Sequence, residues 1–311
     1  MESRQVRIES KRLVGAALSL GCAMASLGAC SEAGPTAGTV PEIKTDGGAG
    51  ADAGSGSEAG VDSSPEGKDS TTPAATSFVL VHGAWMGAWA WDGVATRLRK
   101  EGASVSVVEL PGHGEDRTAP KAVSLESYVA AVTTAIDAAK GKVVLVGHSM
   151  AGVVVTEAAE KRPERIQTLV YLGAYLPKDG ETLQSLAGKD AASKVGPLLR
   201  IDSDAGIAGL PKESLIDVFC ADCALPERTL LTTKYRDEPL YPFATPARPT
   251  AERWGKVPKV YVFTKRDQAV SPTLQQAMTE GVTFVKTVTL DTSHSPFLSE
   301  PELVKATLMG L

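Results

Sequence analysis

The run Val143-Val144-Leu145-Val146-Gly147-His148-Ser149-Met150-Ala151-Gly152 constrains this chain more than any other segment. Its apolar, β-branched start reads as a strand buried on both faces. It passes without a spacer into Gly-x-Ser-x-small, and residues 152–162 carry a helical pattern. Strand, sharp turn and helix in that order lift a serine oxygen above the C-terminal end of a sheet. Small residues at 147 and 151 let the turn tighten. The helix N-terminus then lies beneath the serine, where its dipole favours an oxyanion. Ser149 is the candidate nucleophile.

A serine nucleophile needs a base, and the chain has four histidines, His82, His113, His148 and His294. Where such an elbow is used, the order along the chain is serine, acid, histidine. Only His294 lies downstream of Ser149. His148 follows the strand alternation away from the serine, and His82 and His113 read as loop and turn formers. His294 sits in Thr292-Ser293-His294-Ser295-Pro296, just after the strand-like stretch 284–290. That places it at a strand's C-terminal end, where open α/β sheets carry their chemistry.

The acid that orients the imidazole is expected on another such loop. Val260-Tyr261-Val262-Phe263-Thr264 reads as a buried strand, Asp267 follows it, and Ser271-Pro272-Thr273 reads as a helix start. Asp267 is therefore preferred over Asp291, whose expected role is to cap the turn before His294. Two backbone donors complete the expected machinery: the N–H of Met150, and that of Ala84 in the loop after Phe78-Val79-Leu80-Val81. Gly83, Trp85 and His148 stand beside these groups and are the candidate substrate-binding residues.

These phrases resemble the α/β-hydrolases. They are Val81-His82-Gly83-Ala84-Trp85 with Trp89 and Trp91, Leu110-Pro111-Gly112-His113-Gly114, the serine elbow, and Ser293-His294-Ser295-Pro296-Phe297-Leu298. Within that superfamily they are most similar to the branch holding plant methylesterases, hydroxynitrile lyases and many bacterial esterases. The resemblance covers residues 77–311. It implies a Ser149–Asp267–His294 triad, an oxyanion hole from Ala84 and Met150, and a small-molecule ester substrate. It implies no metal and no organic cofactor. The lyases of that branch carry threonine at the position of Gly83 and lysine at that of Ser295. Without that lysine nothing cationic holds a leaving cyanide, so the resemblance favours hydrolysis. Plant members usually have histidine where this chain has Met86.

The expected fold is α/β: a mostly parallel sheet of about six strands flanked by helices, with a helical cap inserted after the fourth strand. Strands are predicted near 77–82, 104–109, 142–147, 167–173, 258–264 and 283–290. Helices are predicted near 89–101, 124–140, 150–162, 271–281 and 300–310. Between about 176 and 250 prolines interrupt short apolar runs, and this insertion is the cap. Leu198, Leu199, Leu210, Leu215, Ile216, Phe219 and Leu225 either line an apolar pocket or form the cap's own small core.

The chain before residue 77 is different in kind. Arg4, Arg7, Lys11 and Arg12 precede an apolar stretch, residues 13–29, too short and too rich in small residues to span a membrane. It ends in Leu27-Gly28-Ala29-Cys30, which resembles a bacterial lipoprotein signal. The reading is a signal peptide over 1–29, lipidation at Cys30 and attachment to a membrane surface through acyl chains. Ser31 favours the outer membrane of the cell envelope; a secreted or periplasmic protein is the alternative. Residues 30–76 hold eight acids, two lysines and almost no large apolar side chains, and read as a disordered tether.

With the acid concentrated there, residues 77–311 are close to neutral. They show no basic stripe, so nucleic-acid binding has no electrostatic footprint. Cys220 and Cys223 form the remaining Cys-x-x-Cys, with no second pair to complete a zinc site. A local disulfide and two free thiols are both open. The reading as a whole is a serine carboxylesterase working through an acyl-enzyme. Its alternatives are a lyase or other non-hydrolytic enzyme on the same fold, and a tethered binding protein on an inactive one.

Overall fold

Continuous apolar runs bounded by turn residues build the centre of the sheet. The computed structural model describes residues 75–311. The expected signal peptide, Cys30 and the expected tether up to residue 74 lie outside the described residues. The strands described are β1 (Ser77–Val81), β2 (Ser104–Val108), β3 (Val143–His148), β4 (Ile166–Leu172), β5 (Arg200–Asp202), β6 (Ile207–Gly209), β7 (Glu238–Pro239), β8 (Lys259–Thr264) and β9 (Lys286–Leu290). Six of them form one parallel sheet in the order β2-β1-β3-β4-β8-β9.

Burial follows position in that order. Every residue of β1 and β3 is buried, because helices cover both faces of the central strands. The edge strands β2 and β9 instead expose alternate or successive positions. Leu145 is fully buried in β3, and its truncation to alanine is expected to cost about 2–5 kcal/mol.

The chain leaves β1 toward β2 on one side and returns as β3 on the other. The sheet order therefore reverses between β1 and β3, and a crevice opens beyond their C-terminal ends. The Gly83 loop leaves β1 there, and the Ser149 elbow leaves β3 there.

Local chemistry sets the flanking helices. Ser124 and Ser127 form a reciprocal capping box at the start of helix Leu125–Ala138. Ser271 accepts the Leu274 N–H, and Pro272 fills the first turn of helix Pro272–Thr279. That cap ends the loop carrying Asp267. Helix Ala151–Lys161 begins two residues after Ser149 and packs its valines against the sheet.

The cap contains more than the expected helices. Between helices Val195–Leu198 and Tyr241–Ala244, β5, β6 and β7 form a small antiparallel sheet. Strands of two or three residues are too short to show an alternating pattern. No helix among the described residues is long and apolar enough to cross a membrane.

Candidate active site

Ser149 occupies the left-handed region at φ 55°. A side chain there costs about 1–3 kcal/mol and persists only where the surroundings over-determine it. Here they do. The Ser149 N–H donates to the Leu172 carbonyl at 3.3 Å, and its own carbonyl accepts from Gly152 and Tyr175 at 3.0 Å each. The elbow is thus pinned to β4 and to the segment after it. Close packing requires the glycine at 152, because a Cβ there would fall inside the shell of the Tyr175 carbonyl oxygen.

His294 and Asp267 arrive from neighbouring loops. The His294 Nδ1 lies 2.7 Å from Asp267 Oδ2, and both side chains are buried. The same carboxylate accepts the Ala269 and Val270 N–H groups at 2.8 and 2.9 Å, the Thr264 hydroxyl at 2.7 Å and the Gln275 amide at 3.2 Å. Four donors fix its plane and leave the imidazole facing one oxygen. Thr264 and Gln275 were not singled out in the sequence, although they sit three before and eight after Asp267. Asp291 is exposed and pairs with Arg266 at 3.3 Å, away from His294.

His148 corrects one expectation. Among the described residues it does not line the cavity that opens at Ser149, and neither does Gly83. The His148 Nε2–H donates to the His294 carbonyl at 2.9 Å. Its ring stands 4.5 Å from that of His294. Burial, and then the neighbouring imidazole, push its pKa well below the usual histidine range, so it stays neutral. Gly83 packs against this pair: a Cβ there would stand 2.8 Å from Ser149 Cβ and 2.9 Å from His148 Nδ1. Gly83 is the space through which its loop approaches the elbow.

Histidines assigned to turns hold that loop. Leu110 N–H donates to His82 Nε2 at 3.2 Å, which places the ring proton on Nδ1, 2.9 Å from the Gly83 carbonyl. Burial lowers the His82 pKa, in keeping with this neutral form. Because the peptide is planar and trans, the Ala84 N–H points opposite to the Gly83 carbonyl. The next peptide is held from the other side. Trp85, at φ 61°, donates its backbone N–H to Glu238 at 2.9 Å, and its indole donates to the Ala208 carbonyl at 2.9 Å. Among the described residues, neither the Ala84 nor the Met150 N–H finds an acceptor.

Glu238 is a buried carboxylate that the sequence did not reveal. Besides Trp85 it accepts from His113 Nε2 at 2.6 Å and the Tyr128 hydroxyl at 2.9 Å. The other His113 nitrogen faces the Pro111 carbonyl at 3.1 Å, so both ring nitrogens face acceptors. Burial alone would lower the His113 pKa, but the Glu238 charge reverses the sign and raises it. His113 thus sits in the expected turn, its N–H on the Leu110 carbonyl at 3.1 Å, and from there also pairs with Glu238.

A cavity of about 250 Å³ opens at Ser149, walled by Ala84, Trp85 and Met150 below and by cap side chains above. No charged residue lines it among the described residues. Both readings of the cap leucines hold in part. Leu199 and Phe219 face the cavity, Leu210 and Leu215 are buried in the core, and Leu225 is 75% exposed on the surface. Cys220 and Cys223 are joined in a disulfide. Among the described residues no group of histidine, cysteine and acidic side chains has an arrangement that holds a metal.

The sequence model described as the alpha/beta hydrolase family matches residues 78–307. The chain belongs to that family. Among curated alpha/beta hydrolase relatives, methylesterase 18 of Arabidopsis thaliana is 30% identical over 244 residues, covering 72% of this chain and 92% of its own. The carbendazim hydrolyzing esterase of a Nocardioides strain is 39% identical over 115 residues, which is 36% of this chain and 48% of its own. Among solved alpha/beta hydrolase structures, a methylesterase from Arabidopsis superposes with a TM-score of 0.65 at 26% identity, over 76% of this chain and 98% of that one.

Proposed function

We propose that this alpha/beta hydrolase is a serine carboxylesterase acting on small-to-medium neutral esters. One observation carries the reading: Ser149, held at φ 55°, opens into an uncharged cavity beside the two N–H groups that lack acceptors. The methylesterase and carbendazim-esterase relatives support it.

In the proposed reaction the Ser149 Oγ attacks the ester carbonyl carbon while His294 takes the hydroxyl proton at Nε2. The carbonyl π pair moves to oxygen, which the Ala84 and Met150 N–H groups stabilise. Collapse expels the alkoxide, and the imidazolium returns the proton to it as alcohol. Water, deprotonated by His294, then attacks the acyl-enzyme, and carboxylic acid leaves with Ser149 regenerated. Asp267 keeps Nδ1 protonated and stabilises the imidazolium. A lyase reading finds no cation, among the described residues lining the cavity, to receive a leaving anion.

Hydrolysis of p-nitrophenyl acetate through octanoate, beside the Ser149→Ala protein, tests this. Activity confined to the parent protein is expected. Equal rates in both would remove Ser149 from the chemistry. We also propose export and acyl anchoring at Cys30, on the leader sequence alone. Cys30→Ser should shift the protein from the membrane fraction to the soluble one, and identical fractionation would refute the anchor.

A further inference from the structure

We infer that Asp222, held inside the Cys220–Cys223 loop of the cap, is a positioning residue that braces the two loops carrying His294 and Asp267. The inference rests on the esterase reading and adds a residue to it. Ser293, which precedes His294, donates its N–H to Asp222 Oδ2 at 2.7 Å and its hydroxyl to Asp222 Oδ1. Arg266, which precedes Asp267, donates to Asp222 Oδ2 at 3.2 Å. One cap carboxylate therefore touches the immediate neighbours of both residues that would serve the base function.

Arg266 closes the arrangement. It also donates to the Asp291 carbonyl at 2.6 Å, at the start of the histidine loop. Backbone bonds join the same loops, with the Arg266 N–H on the Thr292 carbonyl at 2.9 Å. The two loops thus form one unit, and Asp222 is the cap's hold on it.

Asp222 is itself tightly placed. The disulfide closes the four-residue loop around it. Arg228 donates to the Cys223 carbonyl at 2.6 Å and to the Ala221 carbonyl at 3.2 Å, fixing the backbone on either side. Phe219, directly before the loop, stands 5.7 Å from the His294 ring and lines the cavity. The Asp222 side chain does not line it. Its removal should therefore disturb how His294 is aimed and leave substrate binding alone. Misplacing a catalytic group by about 1 Å costs about 10²-fold in rate.

The test measures kcat and KM of the full chain on p-nitrophenyl butyrate. Asp222→Ala should lower kcat about 10- to 100-fold with KM within about threefold of the parent. Asp222→Asn keeps an oxygen for the Ser293 N–H and an amide that the Ser293 hydroxyl can accept from. It should restore kcat to within about threefold. The double variant Cys220→Ala/Cys223→Ala releases the loop and should lower kcat in the same direction. It also decides the matter if Asp222→Ala does not fold.

A folded Asp222→Ala protein with unchanged kcat overturns the inference. So does an equal loss in Asp222→Asn, a change carried by KM, or a double variant with unchanged kcat where Asp222→Ala is lost. Failure of the esterase reading would show separately, as a parent protein that hydrolyses no ester.

Discussion

The Glu238 carboxylate accepts the backbone N–H of Trp85 at 2.9 Å, so a residue of the cap holds a left-handed turn of the loop after β1. The same carboxylate receives His113 from the loop after β2 and Tyr128 from helix Leu125–Ala138. Cap, sheet loops and flanking helix meet at one buried charge. In such a cluster, removing one partner leaves the others buried and unsatisfied, which commonly costs about 3–5 kcal/mol.

This pair has a pH signature. The His113 pKa is raised above its ordinary value of 6.5, with burial opposing and Glu238 outweighing it. A raised histidine contributes stability that is fully present below 6.5 and is lost as pH rises through the folded value. Urea midpoints measured from about pH 6 to 9 should therefore show the parent's advantage over Glu238→Gln shrinking as pH rises. A constant gap across that range would mean that His113 is not charged in the folded protein.

Gly83→Ala tests the approach of the loop to the elbow. The new Cβ would stand 2.8 Å from Ser149 Cβ, so the loop must retreat and carry the Ala84 N–H with it. Loss of one such donor typically costs about 2.7–4 kcal/mol of transition-state stabilisation. We expect kcat to fall about 10²- to 10³-fold, with a melting temperature lowered by the strain of the retreat. A variant with parental kcat would place the oxyanion donor elsewhere.

Asp267→Asn keeps the shape of the acid but offers an amide where Nδ1–H needs an acceptor. The imidazole then turns or changes tautomer, and kcat should fall by about 10³–10⁴. Asp291→Asn, on an exposed side chain paired with Arg266, should leave kcat within about twofold. The reverse order of effects would exchange the two acids.

The uncharged cavity predicts selectivity. A substrate carboxylate placed there would be desolvated with no cation to meet it. The p-nitrophenyl ester of a dicarboxylic half-acid should therefore have a kcat/KM lower than the butyrate by about 100-fold or more. Comparable values for the two would show that the acyl chain lies outside the cavity.

Much of the fold was legible because long buried strands and amphipathic helices repeat their signals over many residues. The Val143–Val146 run and the Ser271-Pro272 cap locate β3 and helix Pro272–Thr279 directly. The cap sheet escaped because Glu238–Pro239 and its partners are too short to alternate. Ser149, Asp267 and His294 sit at strand ends, where order and spacing mark them. Glu238 and Asp222 do not. Each carboxylate reads as a surface acid until the chain brings His113 or Ser293 to it from 125 or 71 positions away. His148 adjoins Ser149 in sequence, yet its ring stands 4.5 Å from that of His294 and does not line the cavity.

The most direct test is covalent. A fluorophosphonate should label the folded protein once, and peptide mass spectrometry should find the adduct on Ser149. Asp267→Asn should slow that labelling, and Ser149→Ala should abolish it. Labelling confined to Ser149 is the result predicted for the proposed nucleophile. Folded protein that stays unlabelled, or that carries the adduct on another residue, would contradict it.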